Sequence, residues 1–112
     1  MNKYKKVPYL ITNTIGGCHT ELKEGYLIQT PGKRFYGVSG HHGAWVITDI
    51  ITGCIVGRCE KLDQVVETVT PKEKEIERII KETDQLTEVI AEIFTSYRFL
   101  KIKWFNELFI RA

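Results

Sequence analysis

The residue types best suited to chemistry in this chain are its three cysteines and three histidines: Cys18, His19, His41, His42, Cys54 and Cys59. The spacing of Cys54 and Cys59 is near that of some zinc ligands. However, an odd step along one strand sends these two to opposite faces unless Gly57 bends the strand. No second close ligand pair has the usual spacing, and free cysteines are among the most buried residue types. The pattern therefore favours core cysteines over zinc, and we predict no metal or other cofactor.

Cysteine nucleophile chemistry is a second hypothesis. Cys59 lies just before a predicted helix, where the helix dipole would lower the pKa of its thiol and a nearby histidine would act as base. Against this, His41 and His42 lie between glycines, a pattern typical of an exposed turn. The chain also lacks a glycine-rich phosphate loop. We therefore predict a non-catalytic protein, with a cysteine-dependent enzyme as the weaker alternative.

Segments rich in β-forming residues predict an antiparallel meander of four to five strands over residues 1–59. Its strands are expected at Val7–Ile15, Tyr26–Thr30, Arg34–Ser39, Ala44–Ile50 and Cys54–Arg58. Cys18–Lys23 is ambiguous, with a short strand before a turn at Glu24 and Gly25 as one interpretation. Pro31 and Gly32 suit the central pair of a type II turn, and Gly53 suits the left-handed residue of a bulged hairpin loop.

Helical spacing of apolar residues follows the sheet. Residues 60–69 are predicted to form a short helix, and Thr70, Pro71 and Glu73 match a capping box with proline at the first helical position. Apolar residues then recur at steps of three and four up to Leu100, which predicts one long amphipathic helix over residues 70–100. A break is expected near residue 100, residues 101–112 are an aromatic return segment, and helix or strand stays open over residues 98–110. The whole is predicted to be a single α+β domain.

The length of the predicted helix bears on function. About 30 residues span roughly 45 Å, more than the roughly 30 Å width of a small domain. Its far half is therefore expected to contact another surface, either the chain's own tail or a second subunit in a homodimer. Thr83 lies on the apolar stripe and weakens a strict coiled-coil interpretation.

Charge is segregated along the chain although the net charge is only +2. Residues 1–59 carry seven basic and three acidic groups, residues 60–92 five and ten, and residues 93–112 four and one. This distribution indicates surfaces of opposite sign rather than a wholesale nucleic-acid binder. Three cysteines, an odd number, favour a reducing cytoplasm. The apolar run after the first lysines breaks at Thr12 and Asn13, too soon for a signal peptide, and no run approaches the length of a membrane span.

The strand and turn residues carry a resemblance. The pattern consists of Phe35, Tyr36, Gly37 and Val38, then Trp45, Ile47, Thr48 and Asp49, then Thr52 and Gly53, then Gly57 and Arg58 before a helix. It covers about a third of the chain and resembles short bacteriophage and mobile-element accessory proteins. In size and in its lack of catalytic motifs the chain is similar to anti-CRISPR inhibitors. The resemblance implies a host protein partner, a nuclease complex in the anti-CRISPR case, and assigns no role to any single residue.

Two groups of basic and aromatic residues are candidate partner-binding surfaces. The first, the loop group, comprises Lys33, Arg34, Tyr36, His41, His42, Trp45 and Arg58. The second, the tail group, comprises Arg98, Lys101 and Lys103, which interleave with aromatic residues. Because basic groups contact phosphates and aromatic rings stack on bases, either group would also suit nucleic acid, and a small nucleic-acid-binding regulator is the alternative function. For the tail, aromatic residues that close a core are the stronger expectation.

Overall fold

Five antiparallel strands in sequence order form the sheet. The computed structural model describes residues 6–13, 19–41 and 43–110. The strands are β1 (Lys6–Asn13), β2 (His19–Gln29), β3 (Phe35–His41), β4 (Ala44–Asp49) and β5 (Ile55–Cys59), and each pairs with the next. The predicted α+β fold with an antiparallel meander is thus confirmed. Within the part of the chain described, no helix combines the length and apolarity needed to cross a membrane.

Short helices follow the sheet. A 3₁₀ turn (Leu62–Gln64) leads into α1 (Val65–Val69), and a second 3₁₀ turn (Thr70–Lys72) leads into α2 (Glu73–Glu82). Helix α3 (Asp84–Phe99) comes next, then α4 (Lys103–Phe105), which continues as a π-helical turn (Asn106–Ile110). The tail is therefore helical after a break at Leu100 and Lys101, and Lys101 has a left-handed backbone with φ 55°.

The single long helix predicted over residues 70–100 is wrong, because the chain breaks at Thr83. Thr83 is extended at φ −111° and ψ 104°, and Asp84 begins a new helix where the dipole favours a carboxylate. The break lets the two helices reach different parts of the core: Ile76 of α2 packs with α1, whereas Ile93 of α3 packs beside β1. The described residues fit within 35 × 32 × 29 Å, so no helix overhangs the domain.

The predicted capping box is also absent. Thr70 has helical backbone angles, and its hydroxyl donates to the Val66 carbonyl at 2.6 Å. The Glu73 carboxylate points into the protein instead, where it accepts hydrogen bonds from Thr30 Oγ1 at 2.8 Å and from the Tyr36 hydroxyl at 2.9 Å. A buried carboxylate gains more from two hydroxyl donors than from an exposed cap, since leaving it unpaired is costly.

Two turn predictions are corrected and one is confirmed. Residues Glu24 and Gly25 lie within the long strand β2 rather than in a turn, because they pair with Pro8 and Val7 of β1. In the β2–β3 hairpin the left-handed residue is Lys33 with φ 68°, not Gly32, which excludes a type II turn. Gly53, with φ 70°, is the left-handed residue of the β4–β5 loop, as predicted.

The core has two clusters because both faces of the sheet are covered. Helix α1 covers one face, where Val65 and Val69 pack with Ile28, Val38 and Ile47. The second cluster joins β1 and the end of β4 to α3 and the tail: Tyr9, Leu10, Ile50, Ile93, Tyr97, Ile102 and Phe105. The aromatic tail thus closes a core, as its composition predicted.

The outer edge of β1 is closed by side chains and a loop. The Leu10 amide donates to the Tyr97 hydroxyl at 2.8 Å, and the Trp104 indole donates to the Pro8 carbonyl at 2.8 Å. The Thr12 amide donates to the Gly53 carbonyl at 2.8 Å, so the sheet curls until the β4–β5 loop touches β1. These contacts satisfy edge groups that would otherwise be open to pairing with another strand.

Candidate interaction surface

The loop group does not form one surface. Lys33 is in the β2–β3 turn and His41 is at the opposite end of β3, and the six steps from Phe35 to His41 at about 3.3 Å each separate the two ends by about 20 Å. Trp45 and Arg58 lie at the His41 end, where β4 pairs with β5. His42 lies outside the described residues. The structure therefore divides the loop group between two ends of the sheet.

Two members of the loop group are part of a buried polar network. The Arg34 guanidinium donates to Asp49 Oδ1 at 2.7 Å, and the side chains are 14% and 0% exposed. Asp49 also accepts from the Thr52 amide and hydroxyl at 3.2 and 2.9 Å. Tyr36 is fully buried, and its pKa is raised by burial and by the hydrogen bond to Glu73. The prediction of Tyr36 as a surface residue is wrong, and Arg34 holds the β4–β5 loop in place.

The remaining described members are only partly available to a partner. Trp45 is half-buried against the ring of Tyr26, with centroids 5.9 Å apart, while Lys33, His41 and Arg58 are exposed. Exposed basic side chains at separate ends of a sheet are the usual state of a solvated surface. This part of the chain therefore offers no converging set of groups.

The cysteines show no sign of chemistry where they are described. Cys54 and Cys59 are unpaired and half-buried, and Cys59 packs against the α1 cluster. Burial raises the pKa of the Cys59 thiol, and the carboxylates of Asp63 and Glu67 raise it further, so the predicted lowering by a helix dipole is wrong. Within the described ranges no three histidine, cysteine or acidic side chains are grouped to hold a metal. Cys18 lies outside those ranges.

The tail group, in contrast, is exposed. Arg98 is in the last turn of α3, Lys101 is in the left-handed break, and Lys103 begins α4. Three large apolar side chains nearby face solvent: Phe99 is 84% exposed, Leu22 of β2 is 52% exposed and Leu100 is 46% exposed. Scattered exposed apolar residues are ordinary, but a contiguous patch marks an interaction site.

A groove lies at the centre of this patch. It has a volume of about 630 Å³ and lies between the β1 edge and the tail, and we call it the tail groove. Its lining residues are Lys6, Val7, Pro8, Leu22, Leu100, Lys101, Ile102, Lys103, Trp104 and Glu107. A shallower depression of about 450 Å³ shares Leu22 and Leu100 with it and extends to Phe99. The floor is apolar and pre-formed, since the Trp104 indole is fixed by its hydrogen bond to Pro8.

Positive charge dominates the rim of the tail groove. In the described part of the chain, three lysines border it, Lys6, Lys101 and Lys103, and its lining contains one acidic side chain, Glu107. Glu107 Oε1 is 3.9 Å from Lys103 Nζ, on side chains that are both exposed, and such a pair contributes little. An apolar floor with a basic rim matches a partner that presents an apolar side chain flanked by acidic groups.

The sequence predicted Lys101 and Lys103 as part of this site but not Lys6 or most of the apolar floor. Leu22 is an apolar residue among polar neighbours in β2, and Phe99 falls outside the spacing of Ile93 and Tyr97 on the buried side of α3. Both departures from a pattern were visible in the sequence. The contribution of Lys6, Val7 and Pro8 was not, because it depends on the tail folding back against the β1 edge.

Comparison with known proteins identifies no relative: no protein family, curated protein or solved structure matches this chain.

Proposed function

We propose that this protein is a non-catalytic interaction protein that covers a surface of a partner protein through the tail groove. The observation that carries the proposal is the exposed apolar patch of Leu22, Phe99 and Leu100 beside a lysine-rimmed groove. The partner side chain that enters the groove is apolar, and acidic groups around it pair with Lys6, Lys101 and Lys103. Burial of the patch supplies the affinity, and the lysines supply the speed and selectivity of association.

The resemblance to phage and mobile-element accessory proteins supports a host protein as this partner, with a nuclease complex as the anti-CRISPR-like case. In that case the protein inhibits by occupying a surface that the partner needs. The free thiols of Cys54 and Cys59 support action in a reducing cytoplasm.

Direct nucleic-acid binding is the alternative function, and one observation favours it. The ring of Phe99 is exposed next to Arg98 and close in sequence to Lys101, an arrangement that suits base stacking beside phosphate contacts. The aliphatic floor made by Val7, Leu22, Leu100 and Ile102 is better suited to an apolar protein side chain. We therefore keep protein binding as the proposed function.

A pull-down with groove variants tests the proposal. The immobilised protein is incubated with nuclease-treated host lysate and compared with a Leu22→Ser/Leu100→Ser variant and a Lys101→Glu/Lys103→Glu variant. Captured proteins are expected to fall at least tenfold with both variants, because one loses the floor and the other reverses the rim. Lys74→Glu/Lys81→Glu on α2, which makes the same change in net charge away from the groove, is the control and is expected to capture as the parent does.

The two functions are separated by a second measurement. Fluorescence anisotropy with a labelled single-stranded oligonucleotide is recorded from 50 to 200 mM salt. Binding that weakens steeply with salt and is lost in Lys101→Glu/Lys103→Glu would replace the protein-binding proposal by the nucleic-acid alternative. Capture that the groove variants leave unchanged would reject the tail groove as the site.

A further inference from the structure

The solvent-facing side of α3 carries one row of exposed side chains along the helix. Asp84, Glu88, Ala91, Thr95 and Arg98 are all exposed and follow one another at alternating steps of four and three. These steps keep the five side chains on one side of the helix, where a helix lying alongside would meet all of them. Ile93 and Tyr97, on the opposite side of the helix, are buried. We call the five exposed residues the α3 seam.

Charge along the α3 seam changes sign from one end to the other. Asp84 and Glu88 are at the amino-terminal end, and Arg98 is at the carboxyl-terminal end, followed by Lys101. In the described ranges, residues 6–13, 19–41 and 43–110, no ion pair involves Asp84, Glu88 or Arg98. The seam is therefore complementary to itself when one copy runs in the opposite direction.

We propose that a second copy of this chain packs on the α3 seam with its α3 antiparallel, which forms a two-fold symmetric dimer. With the two-fold axis near residue 93, Glu88 lies opposite the partner's Arg98, and Ala91 lies opposite the partner's Thr95. The reverse pairs form by symmetry, since a two-fold interface uses the same patch on both copies. A parallel pair would instead place Glu88 opposite Glu88 and Arg98 opposite Arg98.

Steric and apolar features of the face agree with this arrangement. Ala91 and Thr95 at the centre of the seam are small, so the two helix backbones can approach closely. Phe99 flanks the seam beside Arg98, and its ring is 84% exposed in the single chain. Packing against the second copy would cover part of this ring, which gives the dimer an apolar contribution in addition to its ion pairs.

The dimer is argued separately from the partner proposed above, because the seam excludes Lys6, Leu22 and Trp104 of the tail groove, but the two surfaces share Phe99 at their border, and Thr95 lines the shallower depression. The dimer would carry two tail grooves. A partner with repeated sites would then bind with avidity, since the second contact becomes intramolecular.

Light scattering with charge reversal tests the dimer. The mass of the parent chain is expected to rise from 13.0 kDa towards twice that value with concentration, up to about millimolar, and to fall back as salt screens the ion pairs. Glu88→Lys alone and Arg98→Glu alone are each expected to keep the mass of one chain, because each places like charges opposite each other twice. Mixing these two variants restores both opposite-charge pairs, so the mixture is expected to regain the doubled mass.

Matched charge changes on α2 serve as the controls. Glu77→Lys and Lys74→Glu make the same charge changes on exposed positions of α2 and are expected to dimerise as the parent does. A parent that keeps the mass of one chain at every concentration would overturn the proposal. A parent dimer that survives both Glu88→Lys and Arg98→Glu would overturn it as well. Either result leaves the capture experiment on the tail groove unaffected, so the two proposals fail separately.

Discussion

The loop group and the tail group have similar compositions but opposite structural roles. Both combine basic and aromatic residues, yet Arg34 and Tyr36 of the loop group are buried in a polar network, whereas Arg98, Lys101 and Lys103 of the tail group face solvent. The difference lies in the partners that the fold supplies. Asp49 and Glu73 lie within reach of Arg34 and Tyr36, whereas among the residues that the structure describes no buried carboxylate lies beside the tail cations. Composition alone therefore does not separate a buried structural cation from an exposed one.

The largest expected effect comes from the buried pair of the loop group. Asp49→Ala removes the acceptor for Arg34 and for both Thr52 donors, and it leaves a nearly buried guanidinium without its counter-charge. We expect a loss of about 3–5 kcal/mol of unfolding free energy, measured by urea denaturation. Asp63→Ala, at an exposed position, is the control and is expected to stay within about 0.5 kcal/mol. A loss below about 1 kcal/mol for Asp49→Ala would mean that Arg34 is free to act at a surface.

Alkaline pH is expected to weaken both regions through their buried tyrosines. Burial raises the pKa of Tyr36 and of Tyr97, so the folded chain keeps both protons above pH 10 while the unfolded chain releases them. The contribution of these two tyrosines to the free energy of unfolding is complete below pH 10, about the pKa of a tyrosine in the unfolded chain. It is lost as the pH rises above that value, by about 1.4 kcal/mol for each tyrosine at pH 11. Urea midpoints measured from pH 8 to 11 should fall accordingly.

The double variant Tyr36→Phe/Tyr97→Phe serves as the control for that alkaline loss. It is expected to start from a lower stability at pH 8 but to lose less between pH 10 and 11. An equal loss in parent and variant would assign the alkaline sensitivity to other groups.

The fold was easier to predict than the site, for physical reasons. Strand alternation and helical spacing are local, so the meander, the Gly53 turn and the break near residue 100 were all predicted. The break at Thr83 was not, because Thr83 fits the apolar spacing and the break depends on two separate core clusters. The Glu73 contacts were missed for a similar reason, since its partners Thr30 and Tyr36 are distant in sequence.

Tyr97 directly precedes Arg98 of the tail group, but it is buried and stabilises the fold. Tyr97→Phe keeps the buried ring but leaves the Leu10 amide of the β1 edge without an acceptor. We expect a loss of about 1–3 kcal/mol of unfolding free energy, measured by urea denaturation, because an unpaired buried donor costs about that much. Tyr26→Phe is the matched control, since no hydrogen bond of the Tyr26 hydroxyl is found within the described residues. Equal stability of Tyr97→Phe and the parent would show that water replaces the hydroxyl.

Phe99→Ser is expected to have the smallest effect on stability and to reduce binding without unfolding the chain. Phe99→Ser removes a ring that is 84% exposed, so the thermal midpoint should change by the equivalent of no more than about 0.5 kcal/mol. The same change should reduce both partner capture and the doubled mass, because Phe99 borders the tail groove and the α3 seam. A large drop in thermal midpoint would instead place Phe99 among the tail residues that close the core, such as Phe105, whose ring stacks on Tyr97 with centroids 3.7 Å apart. The tail would then resemble the loop group, with aromatic residues that serve the fold alone.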